Sequence, residues 1–247
     1  MTAVPVSGLA SPATRATILS GGVAHDFPAL SARLAELLGG IGLTTTIRTD
    51  IEQAAQAVAS TDLLVVNMLR WRMLDGRYAA ARDEWGLALS EPARTVVSDW
   101  VDGGGAVLAL HAACICFDDW PGWKTLVGAR WIWDTSAHPP VGPVQVSVRT
   151  GPGGRHPIVD GLPDRFWTDD EIYGFLDLAD DVEPLLTAEH GGTAHPLLWA
   201  REVGAGRVVH TTLGHHLPSY QPPEIQRMVR RGALWALGAP RDVVRAA

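Results

Sequence analysis

The sequence predicts an α/β fold in which helices cover both faces of a parallel sheet. Short β-branched runs alternate with amphipathic stretches through the first half of the chain, the pattern of strand-helix units. The run Ala106–Leu110 carries no charge, as a strand buried on both faces requires. Glycine pairs and a glycine triplet punctuate these runs where turns are needed.

Thr14–Ser20 reads as the first strand, and Gly21-Gly22 opens a turn. Phe27, Leu30, Leu34, Leu37 and Leu38 then recur at helical spacing, with Gly39-Gly40 as the stop. Leu43–Arg48 is the second strand, Ile51–Ala59 the second helix and Leu63–Asn67 a third, apolar strand. Ser90-Glu91-Pro92 starts a helix, because serine accepts orphan amide bonds and proline suits the first turn. That helix runs to Asp102, and Gly103-Gly104-Gly105 feeds the strand Ala106–Leu110. From Trp120 to Gly154 the texture turns to tryptophan, proline and glycine, which marks an insertion over one edge or face of the sheet, with one strand at Val144–Val148. Val182–Leu186, Leu197–Trp199 and Arg207–Leu213 follow as strands, and Glu224–Leu237 is the closing helix.

The 247 residues and 47% hydrophobic content suffice for one sizeable domain, read here as 14–240 between a disordered leader, 1–13, and a tail, 241–247. A formal charge of −7 without any basic run leaves nothing to neutralise a phosphate backbone or an anionic bilayer, so neither nucleic acid nor membrane is an expected partner. No window approaches the ~20 apolar residues of a membrane span, and the first thirteen residues lack the basic start and apolar run of an export signal. Cys114 and Cys116, two apart, suit a reducing, cytoplasmic setting better than a disulfide.

Ligands of parallel sheets bind beyond the carboxyl ends of the strands. His25 and Asp26 follow the first strand, Asn67 the third, His111 the glycine-fed strand, and His215 with His216 the run Arg207–Leu213. Imidazoles gathered on one rim can share a metal or pass a proton; each is also compatible with a purely structural hydrogen bond. Asp169-Asp170-Glu171 precedes Tyr173, and carboxylates beside aromatics serve as an acid/base with a raised pKa, as a metal ligand, or as a solvated turn. Trp131, Trp133 and His138 lie in the insertion, where indoles either stack on sugar rings or pack a core. The glycine triplet precedes a strand rather than joining strand to helix, so no nucleotide cofactor is expected. Cys114 lies three residues past His111, too late for a nucleophile elbow, and reads as an inert thiol.

Ser20-Gly21-Gly22 with His25-Asp26-Phe27, Gly104-Gly105 leading to Leu110-His111-Ala112-Ala113, His156-Pro157-Ile158 with Gly161-Leu162-Pro163, Asp170-Glu171-Ile172-Tyr173, and Gly206-Arg207 leading to Leu213-Gly214-His215 stand in order between about residues 16 and 238. Together they resemble the ThuA-like (trehalose utilisation) family. The resemblance implies a flavodoxin-like sheet similar to that of class I glutamine amidotransferases. It also implies a role in the catabolism of disaccharides and other glycosides, through 3-keto derivatives, with His25, His111, Glu171 and His215 as pocket residues. Amidotransferases carry a cysteine at the elbow and a glutamate two residues after their histidine; here His111 and Leu217 stand there, which argues against amide hydrolysis. The doubled His215-His216 and the tryptophans at 131 and 133 depart from the family pattern.

The resulting expectation is an enzyme acting on a keto-sugar, an isomerase, epimerase or lyase. His111, Glu171, Asp170 and His215 are its catalytic groups. Asp26, Trp133, His138, Tyr173 and His216 contact a small carbohydrate. His25, His111 and His215 hold a divalent metal, zinc or manganese. The alternatives are a non-catalytic carbohydrate-binding or regulatory module and a Cys114 hydrolase, and a homodimer is left open.

Overall fold

The structure, a computed structural model, describes residues 14–247; the segment read as a leader lies outside the described residues. In chain order the elements are β1 (Arg15–Gly22), α1 (Phe27–Gly39), β2 (Thr44–Arg48), α2 (Ile51–Gln56), β3 (Leu63–Leu69), α3 (Ala79–Trp85), α4 (Glu91–Asp102) and β4 (Ala106–Leu110). They continue with α5 (Pro121–Val127), β5 (Ala129–Arg130), β6 (Gly142–Val148), β7 (Arg165–Asp170), β8 (Asp177–Leu178), β9 (Leu186–His190), β10 (Thr193–Val203), β11 (Gly206–Thr211), α6 (Pro223–Ala236) and α7 (Arg241–Ala246).

Among the described residues nine strands form one sheet in the order β2-β1-β3-β4-β11-β10-β9-β6-β7. The five from β2 to β11 are parallel; β10, β9, β6 and β7 extend the sheet in antiparallel fashion. Period-two alternation splits the core in two. Leu63, Val65 and Leu108 meet α1 and α6 on one face, while Leu64, Val66 and Val107 face the layer of α2, α4 and α5 on the other. Burial on both faces explains why these strands read as uninterrupted apolar runs.

The insertion over 120–154 supplies α5, which packs on α4, and β6, which joins the sheet. The strand expected at Val182–Leu186 instead begins at Leu186, because Pro184 has no amide hydrogen to offer and Val182 is held in a turn by the Ala179 carbonyl. Residues read as a tail form α7, with Val244 fully buried against α6. Among the described residues no helix is long and apolar enough to cross a membrane.

Candidate functional site

The parallel strands end on one rim, and four side chains converge there. His25 lies between β1 and α1. Gly22, just before it, has φ +128° and so little room that a Cβ would strike the Leu69 carbonyl. A buried chain of polar groups fixes the same corner: Asn67 Nδ2 donates to Ser31 Oγ (2.9 Å), which donates to Ser20 Oγ (2.7 Å), tying α1 to β1 and β3. Asn67, expected at the rim, is used up in this tie.

His111 follows β4 directly and adopts φ +47°, left-handed backbone in a non-glycine residue at a strand-to-helix turn. It therefore occupies the strained elbow that the sequence comparison assigned to a nucleophile. Its Nδ1–H donates to the Thr212 carbonyl at 2.7 Å, so Nε2 carries a lone pair. The His25 ring is fixed in the same sense by its Nδ1–H to the Val23 carbonyl at 3.2 Å. The two Nε2 atoms then face each other at 3.1 Å. Burial first, and for His111 then the neighbouring His25, lowers both rings' affinity for protons, that of His111 to about 3. A proton shared between them is therefore disfavoured, and both nitrogens carry the lone pair that a metal ligand needs.

Glu171, at the end of β7, is buried and points both oxygens at imidazoles. Oε2 lies 3.5 Å from His111 Nε2 and 3.2 Å from His215 Nδ1; Oε1 lies 3.1 Å from His138 Nδ1. Burial alone would raise its pKa, but His138, His215 and His111 together outweigh it and hold the carboxyl well below the usual range. Conversely, the Glu171 carboxylate raises His138 and His215. Although His215 Nδ1 is close to Glu171, it is buried and, among the described residues, has no well-formed hydrogen bond.

His25, His111, His215 and Glu171 each place one ligand atom within 4.8 Å of all the others. In a tetrahedral site with bonds of about 2.0–2.1 Å, neighbouring donors lie roughly 3.3 Å apart. The three edges given above, 3.1, 3.5 and 3.2 Å, bracket that spacing. The carbonyls behind His25 and His111 supply the outer-shell support that metal-bound imidazoles usually have. The donor set fits a divalent transition metal.

Asp170 is buried but not aimed at the cluster. Its Oδ2 accepts from the Gly214 amide (2.8 Å), and its Oδ1 from the Glu171 (2.9 Å) and His215 (3.2 Å) amides. It pins the His215 loop to β7, and burial pushes its carboxyl up to about 6. Gly214 must be glycine here, with φ +122° and the Tyr220 hydroxyl where a Cβ would go. Tyr173 is buried and its hydroxyl donates to His111 Nε2 at 2.9 Å. His138 stands at the mouth with 41% of its side chain exposed.

Two expected substrate contacts also have local duties. Asp26 is the N-cap of α1, its Oδ1 accepting from the Ala29 amide at 3.1 Å. His216 turns to Ser219, 2.9 Å from Nδ1, and caps a short 3-10 turn. Trp133 is 37% exposed and its ring lies 6.3 Å from that of Trp131, which in turn meets Tyr173 at 5.2 Å and His138 at 6.0 Å. Cys114 and Cys116 are fully buried, and burial drives both thiols upward, Cys116 to about 12.

Residues 15–236 match the family described as ThuA, trehalose utilisation. A ThuA-like protein from Parabacteroides merdae is 20% identical, with 92% of this chain and 91% of that chain covered at a TM-score of 0.71. A ThuA-like protein from Bacteroides uniformis is 17% identical, covered to 95% on both sides at 0.67. A cytoplasmic protein from Salmonella typhimurium is 13% identical, with 91% of this chain and 98% of that chain covered at 0.62. No curated protein matches the sequence. The shared α/β fold and the span of the match from β1 to the end of α6 lead to one conclusion: the chain belongs to the ThuA, trehalose utilisation, family.

Proposed function

We propose that this protein is a sugar-catabolic enzyme that moves a proton on the carbon beside a keto group of an oxidised glycoside, at a site where His25, His111, His215 and Glu171 hold a divalent metal, zinc or manganese. The observation that carries the reading is the pair of unprotonated Nε2 atoms facing each other at 3.1 Å beside a buried carboxylate. Bound there, the ion would act as a Lewis acid on the sugar carbonyl.

The chain's own residues divide the remaining work. Glu171 stays ionised at neutral pH, so while Oε2 faces the ligand cluster, Oε1 would take the proton from the carbon beside the keto group, with His138 3.1 Å away at the mouth. Raised basicity and partial exposure suit His138 to exchange that proton with solvent. Tyr173 shares the His111 lone pair, and its hydroxyl becomes the donor left over for the substrate once that lone pair is engaged. Asp170 keeps the His215 loop in place.

Incubation of tag-free protein with 3-keto-glucosides in heavy water, followed by NMR, tests the reading. The wild type should place deuterium beside the keto group, and Glu171→Ala should bind the sugar without doing so. Binding without exchange in the wild type, with affinity kept in Glu171→Ala, would identify a non-catalytic carbohydrate-binding module instead.

A further inference from the structure

Two cavities of about 290 Å3 each lie beyond the cluster, and they share Trp133 and Asp118 as walls. The first is bounded also by Trp131, Trp120 and Arg72, the second by Trp71, Tyr78 and Arg77. Each is near the lower end of small-molecule pockets, about 300 Å3, enough for one ring and not for a long ligand.

The walls have the chemistry of a sugar site. Aromatic faces meet the apolar faces of a pyranose, while fixed polar groups bind its hydroxyls. Trp133 packs against Trp71 at 5.6 Å and Tyr78 at 6.2 Å, and the Arg77 guanidinium lies 5.8 Å from its centroid, so the indole is braced while remaining partly open. Asp118 is oriented by Arg72, whose main-chain amide (3.0 Å) and Nε (3.2 Å) donate to it, and a carboxylate held this way has lone pairs to spare for hydroxyl donors. Trp131 joins this region to Tyr173, one ring away from His111.

We propose that Trp133 and Asp118 form a saccharide subsite, with Trp133 as the partition between two ring positions, so that the protein selects sugars of at least two linked rings over monosaccharides. The inference rests on the sugar-processing reading above and names the part of the substrate that does not react.

The test is titration of the tag-free protein with unoxidised trehalose, cellobiose and glucose, followed by calorimetry. At least one disaccharide should bind tenfold or more tightly than glucose. Trp133→Ala should reduce that ratio to about one, Trp133→Tyr should restore most of it, and Asp118→Asn should weaken the disaccharide several-fold. The same preference in Glu171→Gln would separate the subsite from the reaction. Equal affinity for glucose and both disaccharides in the wild type, or a preference untouched by Trp133→Ala and Asp118→Asn, would overturn the subsite. Deuterium exchange on a keto-sugar would be unaffected by that failure, so the two readings fail separately.

Discussion

His25 and His111 hold their Nε2 atoms 3.1 Å apart while each ring spends its Nδ1 hydrogen on a main-chain carbonyl. Both lone pairs point into one corner, that of His111 shared with the Tyr173 hydroxyl at 2.9 Å, and burial has already made each ring a poor proton acceptor. Glu171 brings a negative charge to the same corner, which would favour a cation there.

The elbow itself is testable. His111 pays for its position with left-handed backbone, which costs a non-glycine residue about 1–2 kcal/mol. In metal-free protein His111→Gly should therefore be more stable than His111→Ala by about 1 kcal/mol, although both lose the same ring. Urea denaturation of the two variants measures this, and equal midpoints would remove the claim of strain.

Asp170 offers two oxygens to three main-chain amides, and asparagine has only one acceptor oxygen. Asp170→Asn should leave an amide of the His215 loop unpaired, costing about 1–3 kcal/mol in thermal or chemical denaturation. Metal affinity, read by competition with a chelator, should fall about 10–100-fold, as for other outer-shell losses. Unchanged affinity would mean that the loop does not need this anchor.

Much of this site is readable in the sequence because a strand end is a local signal. Glycines, apolar runs and the histidines that follow them lie within a few residues of one another, so His25, His111 and His215 stand out without coordinates. The partners of Glu171 do not. That it meets His138 across the insertion, and that Asp170 beside it turns away to three amides, depends on β7 joining the sheet through β6, a pairing no local pattern encodes. Asp26 and His216 carry a second local signal: each precedes a proline in the first turn of a helix, the mark of a cap. Pro196 masked most of β10, since the strand tolerates it only through a bulge between Pro196 and Leu198.

Acid should unfold the protein through its buried histidines. Burial lowers His111 and His210 to about 3 and His156 to about 4, all from 6.5. The unfolded chain takes up protons first, so the stability from each group is complete above pH 6.5 and is lost as pH falls toward the folded value. His210 stacks on Trp199 at 4.6 Å and, among the described residues, neither nitrogen makes a well-formed hydrogen bond, although the His111 and Val127 carbonyls lie close enough to favour the charged ring slightly. At pH 5 this one group should cost about 2 kcal/mol. His210→Phe should lose about that much less stability than the wild type between pH 7 and pH 5 in urea titrations, and identical losses would show that His210 is not a cause.

The thiols should be silent. Cys114 and Cys116 are buried and raised, so iodoacetamide at neutral pH should label neither in the native protein. Rapid labelling that abolishes turnover and is blocked by substrate would bring back a cysteine nucleophile.

The most direct measurement is calorimetric titration of tag-free, chelator-treated protein with Zn2+ and Mn2+, wild type beside His111→Ala. One ion per chain in the wild type, with affinity reduced at least a hundredfold in the variant, is the predicted result. Neither ion binding, or both binding the variant as tightly as the wild type, would contradict a metal centre built on His25, His111, His215 and Glu171.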